Sequence, residues 1–343
     1  MGSRPTIEDV ARTAGVSVAT VDRVLNGRQK VREDTARRVY EAAIEVGYHA
    51  ASLIRQRVDA TLPEIRLGFI LQQQDHAFYD VFGRKLLAAA EHATRARVRA
   101  KLVYVPKQTP EDVVAALQGI EGQVDAIALT SLDHHTVTRT VSQLKEKGKP
   151  VFSLLSDFAQ GVREAYIGTN NLRVGRTAAW FIARTARRPG KVALFVGSHR
   201  WHGHQLRETG FRNFFREQSV PFEVLETLVN LETRRVTYEA TLALLERHPD
   251  VAGIYLAGGG MEGAIRALRE VSPTEAPTVL VNELTPDSTA ALQDGIVTAV
   301  LATPLDRLCS TLVDMMTRAV LEGPSDAPGQ IFLPVEIFIS ENV

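Results

Sequence analysis

Three things are scarce in this 343-residue chain: cysteine, net charge and long apolar runs. The single cysteine, Cys309, excludes a disulfide within the chain and fits a reducing compartment. Lys plus Arg number 40 and Asp plus Glu number 40, so no overall positive charge draws the chain to nucleic acid or to an anionic surface. No stretch approaches the ~18 apolar residues of a membrane span. The opening Met1-Gly2-Ser3-Arg4-Pro5 has no apolar core of a signal peptide. Both absences point to the cytoplasm. There are no repeats and no low-complexity tracts. No hydrolase elbow, P-loop or zincin motif appears either, and Gly190-Lys191 lacks the preceding glycine-rich loop.

What is present begins at the N-terminus. Thr6 is placed to cap a helix, with Asp9 three residues on in the capping-box position. Ile7, Val10, Ala11 and Ala14 make a helical apolar stripe. Gly15 breaks it and supplies the freedom that a tight turn needs. Ser17 can cap a second helix, Val18 to Asn26, whose inward face is Val21, Val24 and Leu25. A third runs from about Arg32 to Val46, with Ala36, Val39, Tyr40, Ala43 and Val46 facing in, and Gly47 stops it. Periodicity alone allows a DNA-binding head or any three-helix bundle. Charge adds little: residues 1–60 hold ten Lys/Arg and eight Asp/Glu, a net +2. Binding would then rest on a few placed contacts rather than bulk charge.

The spacing is more specific. Val10-Ala11-Arg12-Thr13-Ala14-Gly15-Val16-Ser17-Val18-Ala19-Thr20-Val21-Asp22-Arg23-Val24-Leu25-Asn26-Gly27 resembles the helix-turn-helix head of the lactose-repressor (LacI/GalR) family of bacterial transcription regulators. The resemblance extends more weakly over the rest of the chain. It implies that Val18 and Ala19 open the recognition helix toward base edges. Thr20 and Asn26 would touch phosphates, Thr6 and Ser17 would lie beside them, and Arg23 would read guanine. Asp22 departs from the family, which usually has serine there. It would orient Arg23 or accept from a cytosine amine. The linker departs further. Ala50 replaces the family's proline, and Arg57 falls where a leucine is expected to wedge into the minor groove. Leu53 or Ile54 takes that role if the register slips by a turn; otherwise the segment is a solvated linker.

From Ile65 onward short apolar runs alternate with amphipathic helices. Strands are expected at Ile65–Leu71, Lys101–Val105, Ala126–Leu129, Val151–Leu155, Lys191–Val196, Gly253–Leu256 and Thr278–Val281. Helices are expected at Val81–Thr94, Pro110–Leu117, Val174–Arg187 and Tyr238–Arg247. This is the pattern of an α/β fold with parallel sheets. The resemblance implies a two-lobed, periplasmic-binding-protein-like domain with a ligand in the cleft. The expected layout is a head over 1–48, a hinge over 49–62, and a ligand-binding and dimerisation domain over 63–343. Its N-lobe takes about 63–168 and 302–328, and its C-lobe about 169–301 and 329–343. The chain would cross between lobes near Asn170, Ala302 and Gln330.

Ligands of parallel sheets sit beyond the carboxyl ends of the strands. That rule selects Gln72, Gln73, Asp75, His76, Phe78 and Tyr79 after the first strand, Thr130, Ser131, Ser156 and Asp157 after later ones, and then Asn170-Asn171. Gln73, Asp75, Phe78, Tyr79, Ser131, Asp157 and Asn170 are the leading candidates. In the family an aromatic residue at the Phe78 or Tyr79 position stacks on sugar. His204-Gln205-Leu206-Arg207-Glu208-Thr209-Gly210-Phe211 resembles the family's R-x-x-G-F element, so Arg207 would clamp a ligand oxygen with its planar fork. His199, His202 and His204 cluster around Trp201. With no cysteine near, Trp201 and His204 read as cleft lining rather than a metal site.

Gly258-Gly259-Gly260-Met261-Glu262-Gly263 follows a strand, and Glu283 lies twenty residues further on. The combination fits a dinucleotide fingerprint and carries the case for a nicotinamide-dependent oxidoreductase. The family layout accounts for the same turn at the cleft rim. The glycine loop, with Gly259 and Gly260, would offer N–H groups to an anionic or phosphorylated ligand. Glu283 and Thr303 also replace the family's usual polar residues. The expected protein is a repressor without cofactor or metal, not an enzyme. It would bind a near-palindromic operator and a sugar- or polyol-like effector. Phe338 to Val343 carries no heptad tail, so a homodimer is expected. A cytoplasmic binding protein is the remaining alternative.

Overall fold

The computed structural model describes residues 5–26, 31–51, 53–54, 62–72, 76–325 and 327–343, without the side chain of Glu33. The expected site residues Arg57, Gln73 and Asp75 lie outside the described residues. Two compact units divide the chain: residues 1–65 with 93–99, and residues 66–92 with 100–343.

The first unit opens with α1 (Ile7–Ala14), α2 (Val18–Asn26) and α3 (Glu33–Glu45). The capping box forms: Thr6 N–H donates to Asp9 Oδ2 at 2.9 Å, and Asp9 N–H to Thr6 Oγ1 at 3.4 Å. Thr6 N–H and Thr6 Oγ1, both donating to it, hold the partly exposed Asp9 carboxyl below its ordinary value, with help from Arg12. Gly15 takes φ 64°, and its N–H returns to Ala11 and Arg12 carbonyls, ending α1 in a left-handed cap. Val10, Ala11, Ala14, Val21, Val24, Ala36, Val39, Ala42, Ala43 and Ile54 form one apolar core. Ile54 belongs to that core and is fully buried, which removes it as a minor-groove wedge. Leu53 beside it is exposed.

The second unit is built on two sheets. β1 (Glu64–Gln72), α4 (Ala77–Glu91), β2 (Arg97–Val105), α5 (Pro110–Ile120), β3 (Ala126–Leu129), α6 (His135–Glu146), β4 (Val151–Leu154) and β5 (Ala165–Thr169) come first. Then follow α7 (Asn171–Thr185), β6 (Gly190–Val196), α8 (His202–Glu217), β7 (Phe222–Val224), β8 (Leu228–Val229), α9 (Arg234–Arg247) and β9 (Val251–Leu256). The series closes with α10 (Met261–Val271), β10 (Thr278–Asn282), α11 (Pro286–Gln293), β11 (Ala299–Ala302), α12 (Leu305–Glu322), β12 (Gly329–Leu333) and β13 (Glu336–Phe338).

The first sheet runs β12-β5-β4-β3-β1-β2 and the second β13-β11-β10-β9-β6-β7, with β8 also on β6. Pairing is parallel except where β13 lies antiparallel to β11. The chain leaves the first sheet after Thr169, returns with α12, which packs on α4, and passes over last between Leu333 and Glu336. The last passage lies beyond Gln330, because Gln330 is inside β12. β1, β3, β4, β6, β9 and β10 stand within two residues of the expected runs. β2 starts four residues early, at Arg97, because Arg97 to Ala100 alternates exposed and half-buried positions along an edge. Separate apolar cores lie against the sheets: Ile70, Leu117 and Ile127 belong to one, Phe195, Ile254 and Val281 to a second, Leu194, Phe211 and Tyr255 to a third.

Candidate functional site

On α2, Val21 and Val24 face the core, which turns Val18, Ala19, Arg23 and Asn26 outward; all four are exposed. Ser17 caps the helix, accepting from Thr20 N–H at 3.2 Å, and the two hydroxyls lie 2.9 Å apart. Asp22 accepts from the Asn26 amide at 2.7 Å. Its carboxylate therefore holds Asn26, one helical turn on, rather than Arg23.

In the second unit the carboxyl ends of both sheets meet at a cavity of about 690 Å³, its open mouth included. One wall carries His76, Phe78, Tyr79, Thr130 and Leu154 to Ser156. The other carries Trp201, Gly203, His204, Arg207, Glu232, Gly258, Gly259, Met261, Asn282 and Glu283. Bonds cross between the walls. Gln108 donates to Glu232 at 2.7 Å, Gly203 N–H to Ser156 Oγ at 3.0 Å, and Asn171 Nδ2 to the Leu155 carbonyl at 2.9 Å.

Arg207 is the best-held charge. Its Nε donates to Asn171 Oδ1 at 2.7 Å and its Nη1 to the Ala257 carbonyl at 2.6 Å. Arg207 lines the cavity, and among the described residues its Nη2 has no hydrogen-bond acceptor. The backbone beneath is fixed by a helix crossing. A Cβ at Gly175 on α7 would stand 1.9 Å from the Arg207 carbonyl oxygen, and one at Gly210 on α8 would stand 2.0 Å from that of Leu172. Only glycines let the helices approach this closely.

Two carboxylates share the wall. Glu283 accepts from Thr303 N–H at 2.9 Å and from Thr303 Oγ1 at 2.7 Å. Burial pushes its carboxyl up, against the pull of Arg207 and of these two donors. Glu232 accepts from Gln108 and from Gly259 N–H at 3.1 Å, and lies 3.7 Å from His204 Nε2. Burial lowers the His204 imidazole to about 4, helped by Arg207 and opposed by Glu232. For Glu232, burial would raise the carboxyl, but His204, Gln108 and Gly259 outweigh it and hold the value low. At neutral pH this leaves Glu232 ionised and His204 uncharged. Burial, with Glu232 and Glu283 nearby, pushes the Tyr79 phenol well up. Leu155, Glu232 and Glu283 adopt left-handed backbone at φ 63°, 54° and 70°. Non-glycine residues seldom adopt this conformation.

The cavity thus gathers Phe78, Tyr79, Trp201, His204, Arg207, Gly259 and Glu283 from the expected set. Five other expected residues do other work. Asp157 is buried and held by Arg163, Nε to Oδ1 at 2.5 Å and Nη2 to Oδ2 at 2.7 Å, with Ser153 and Gln330 taking its remaining sites. Asn170 caps α7 by accepting from Arg173 N–H, and its neighbour Asn171 holds Arg207 instead. Ser131 donates to the Leu132 carbonyl, while Thr130 lines the wall. Gly260 starts α10 at φ 85°, packed toward Thr237. Thr303 sits behind Glu283. The glycine loop is no open cradle either, because the Glu232 carboxylate occupies the Gly259 N–H that an anion or pyrophosphate would need. Gly263 is glycine because α9 passes it: a Cβ there would meet the Arg234 carbonyl oxygen at 2.1 Å.

Residues 6–51 match the profile of the bacterial regulatory proteins of the lacI family, and residues 67–324 that of the periplasmic binding protein domain. The chain belongs to the LacI family. This LacI-family regulator is 25% identical over 326 residues to catabolite control protein A of Streptococcus mutans, across 91% of this chain and 90% of that protein. It is 24% identical over 333 residues to the maltose regulon regulatory protein MalI of Escherichia coli K12, across 92% of each. Among solved structures, the glucose-galactose binding protein GanP of Geobacillus stearothermophilus covers 81% of this chain and 99% of its own at 20% identity and TM-score 0.72. A solute-binding protein of Actinobacillus succinogenes with bound D-allose covers 81% and 98% at 15% identity and TM-score 0.73. At such identity these two likenesses establish the fold alone. As a member of its family, the chain is a DNA-binding transcriptional regulator, and no described helix is long and apolar enough to cross a membrane.

Proposed function

We propose that this regulator represses transcription in the cytoplasm as a homodimer on a near-palindromic operator, and that a small polyhydroxylated ligand in the cavity sets its operator affinity. Arg207 carries the ligand half of this reading: it is anchored at two nitrogens and lines a cavity walled by Phe78, Tyr79 and Trp201. A planar fork suits ligand oxygens, and aromatic faces suit the C–H side of a sugar ring. The DNA half rests on the exposed Val18, Ala19, Arg23 and Asn26. Ser17, Thr20 and Thr6 lie toward the phosphates, and Asp22 positions Asn26. Leu53, the exposed apolar residue after the head, serves as the wedge. Bonds across the cavity, such as Gln108 to Glu232, tie the degree of closure to occupancy. A ligand that favours one closure shifts DNA affinity, and DNA shifts ligand affinity by the same factor. The cavity binds and does not catalyse. The similarity of the chain to MalI and to catabolite control protein A over nine-tenths of its length supports this reading.

The test is selection of bound duplexes from a random pool by the full chain at moderate salt, with and without metabolite extract. A two-fold symmetric site whose binding collapses in Arg23→Ala supports the reading. Failure to enrich any sequence under either condition overturns it.

A further inference from the structure

The cavity is short of positive charge. Its lining holds two carboxylates, Glu232 and Glu283, and one permanent cation, Arg207. Neither carboxylate has a Lys or Arg within ion-pair distance among the described residues. Glu232 is served by an amide, a backbone N–H and the uncharged His204, and Glu283 by the two Thr303 donors with Arg207 acting from beyond ion-pair distance. Both carboxylates and the Tyr79 phenol line the same cavity. Burial, with a smaller push from Glu336 outside the cavity, raises the Glu283 carboxyl despite Arg207 and the two Thr303 donors. One further group points to an absent occupant: His76 Nδ1 is buried in a lining residue without a hydrogen-bond partner, whereas Thr130 Oγ1 lies against the Tyr79 phenol. Buried polar atoms are normally paired.

We infer that the ligand of this cavity is a polyhydroxylated cation, a sugar-sized molecule bearing one ammonium group whose charge offsets Glu232 and Glu283 while its hydroxyls meet Arg207 and His76. The inference rests on the reading of the cavity as the effector site and narrows its ligand class. An anionic or phosphorylated ligand would meet two carboxylates and one Arg, with the Gly259 N–H already taken. A neutral sugar would leave two carboxylates sharing a single Arg in a poorly solvated site.

Titration calorimetry and thermal melts of the full chain test this with matched probes: D-glucosamine, D-galactosamine and D-mannosamine, each beside its neutral parent hexose and that hexose's 6-phosphate. At least one amine should bind, with its parent weaker by about tenfold to a hundredfold, the worth of one charge-assisted hydrogen bond. The phosphates should be silent. Glu283→Gln and Glu232→Gln, which keep shape and remove charge, should each weaken the amine by several-fold more than they weaken its parent hexose. Operator binding by each variant confirms that it is folded. Equal or tighter binding of a hexose or a phosphate overturns the inference, and so does silence of all three amines. Operator selection on the same preparation separates the two levels. An operator recovered alongside silent amines overturns the charge assignment alone, and no operator overturns the regulator reading.

Discussion

In the head, every fully buried side chain among the described residues is apolar, from Val10 to Ile54; in the sensing unit Asp157, Arg163, Asn171 and Arg207 are buried beside the sheets. The head places its polar groups outside, on the face of α2, where their partner would be DNA. The sensing unit draws charge inward, because a small ligand must be surrounded to be recognised. The cost differs accordingly. A helical head needs only local periodicity and a few caps. A buried charge needs partners at fixed distance, and those here come from far along the chain: Arg207 reaches Asn171 at 36 residues' separation and Ala257 at 50, and Glu232 reaches Gln108 at 124.

The largest expected effect breaks the head alone. Val10→Asp puts an unpaired carboxylate into a core too small to absorb it. Operator retention should vanish in a gel-shift assay while melting of the sensing unit is unchanged. If the sensing unit melts earlier too, the two regions are not energetically separate. Next comes the buried pair of the sensing unit. Asp157→Asn strands Arg163, and denaturant titration should show a loss of about 3–5 kcal/mol. Ligand response should survive in the folded fraction, because Asp157 does not line the cavity.

A smaller effect depends on pH. Unfolded His204 takes a proton below its ordinary 6.5, whereas the folded imidazole refuses it until about 4. The unfolded state therefore binds more protons inside that window, and stability falls as pH drops through it. Tm measured across the window should decline more steeply in the wild type than in His204→Gln. The head, with no buried titratable group among its described residues, should contribute no such slope. The smallest effect is Thr6→Ala, which removes one cap and should cost about 1 kcal/mol. It should be read as a small drop in head stability with no change in ligand binding.

The same contrast explains what the sequence disclosed. Thr6, Asp9, Gly15 and Ser17 act on neighbours three or four residues away, so α1 and α2 were legible to the residue. Long apolar runs marked the central strands. β5, β11, β12 and β13 were not expected as strands: β11 is four residues long, β12 opens on Gly329-Gln330, and each is completed by pairing with distant chain. In the cavity, the R-x-x-G-F resemblance pointed to Arg207 and the spacing after the glycine loop to Glu283, while the rule of strand ends found Tyr79. It missed Glu232, because the strand before it, β8, is only two residues long. It named both Thr130 and Ser131 and both Asn170 and Asn171, and the preference for Ser131 and Asn170 failed because no local pattern tells which of two polar neighbours faces the cavity. Asp157 misled for the related reason that a buried carboxylate reads alike whether its partner is a ligand or Arg163.

The crossing of α7 and α8 at Gly175 and Gly210 has a consequence for how such a sensor changes its taste. Because the Arg207 backbone rests directly on its neighbour helix, the fork is a constant of the scaffold, and neither glycine tolerates even a methyl group. Novelty must therefore enter through the interchangeable parts around the fork: Thr130, Trp201, His204 and the two carboxylates. A library built on those positions explores new effectors without renegotiating the frame. One that includes the glycines samples mostly broken proteins.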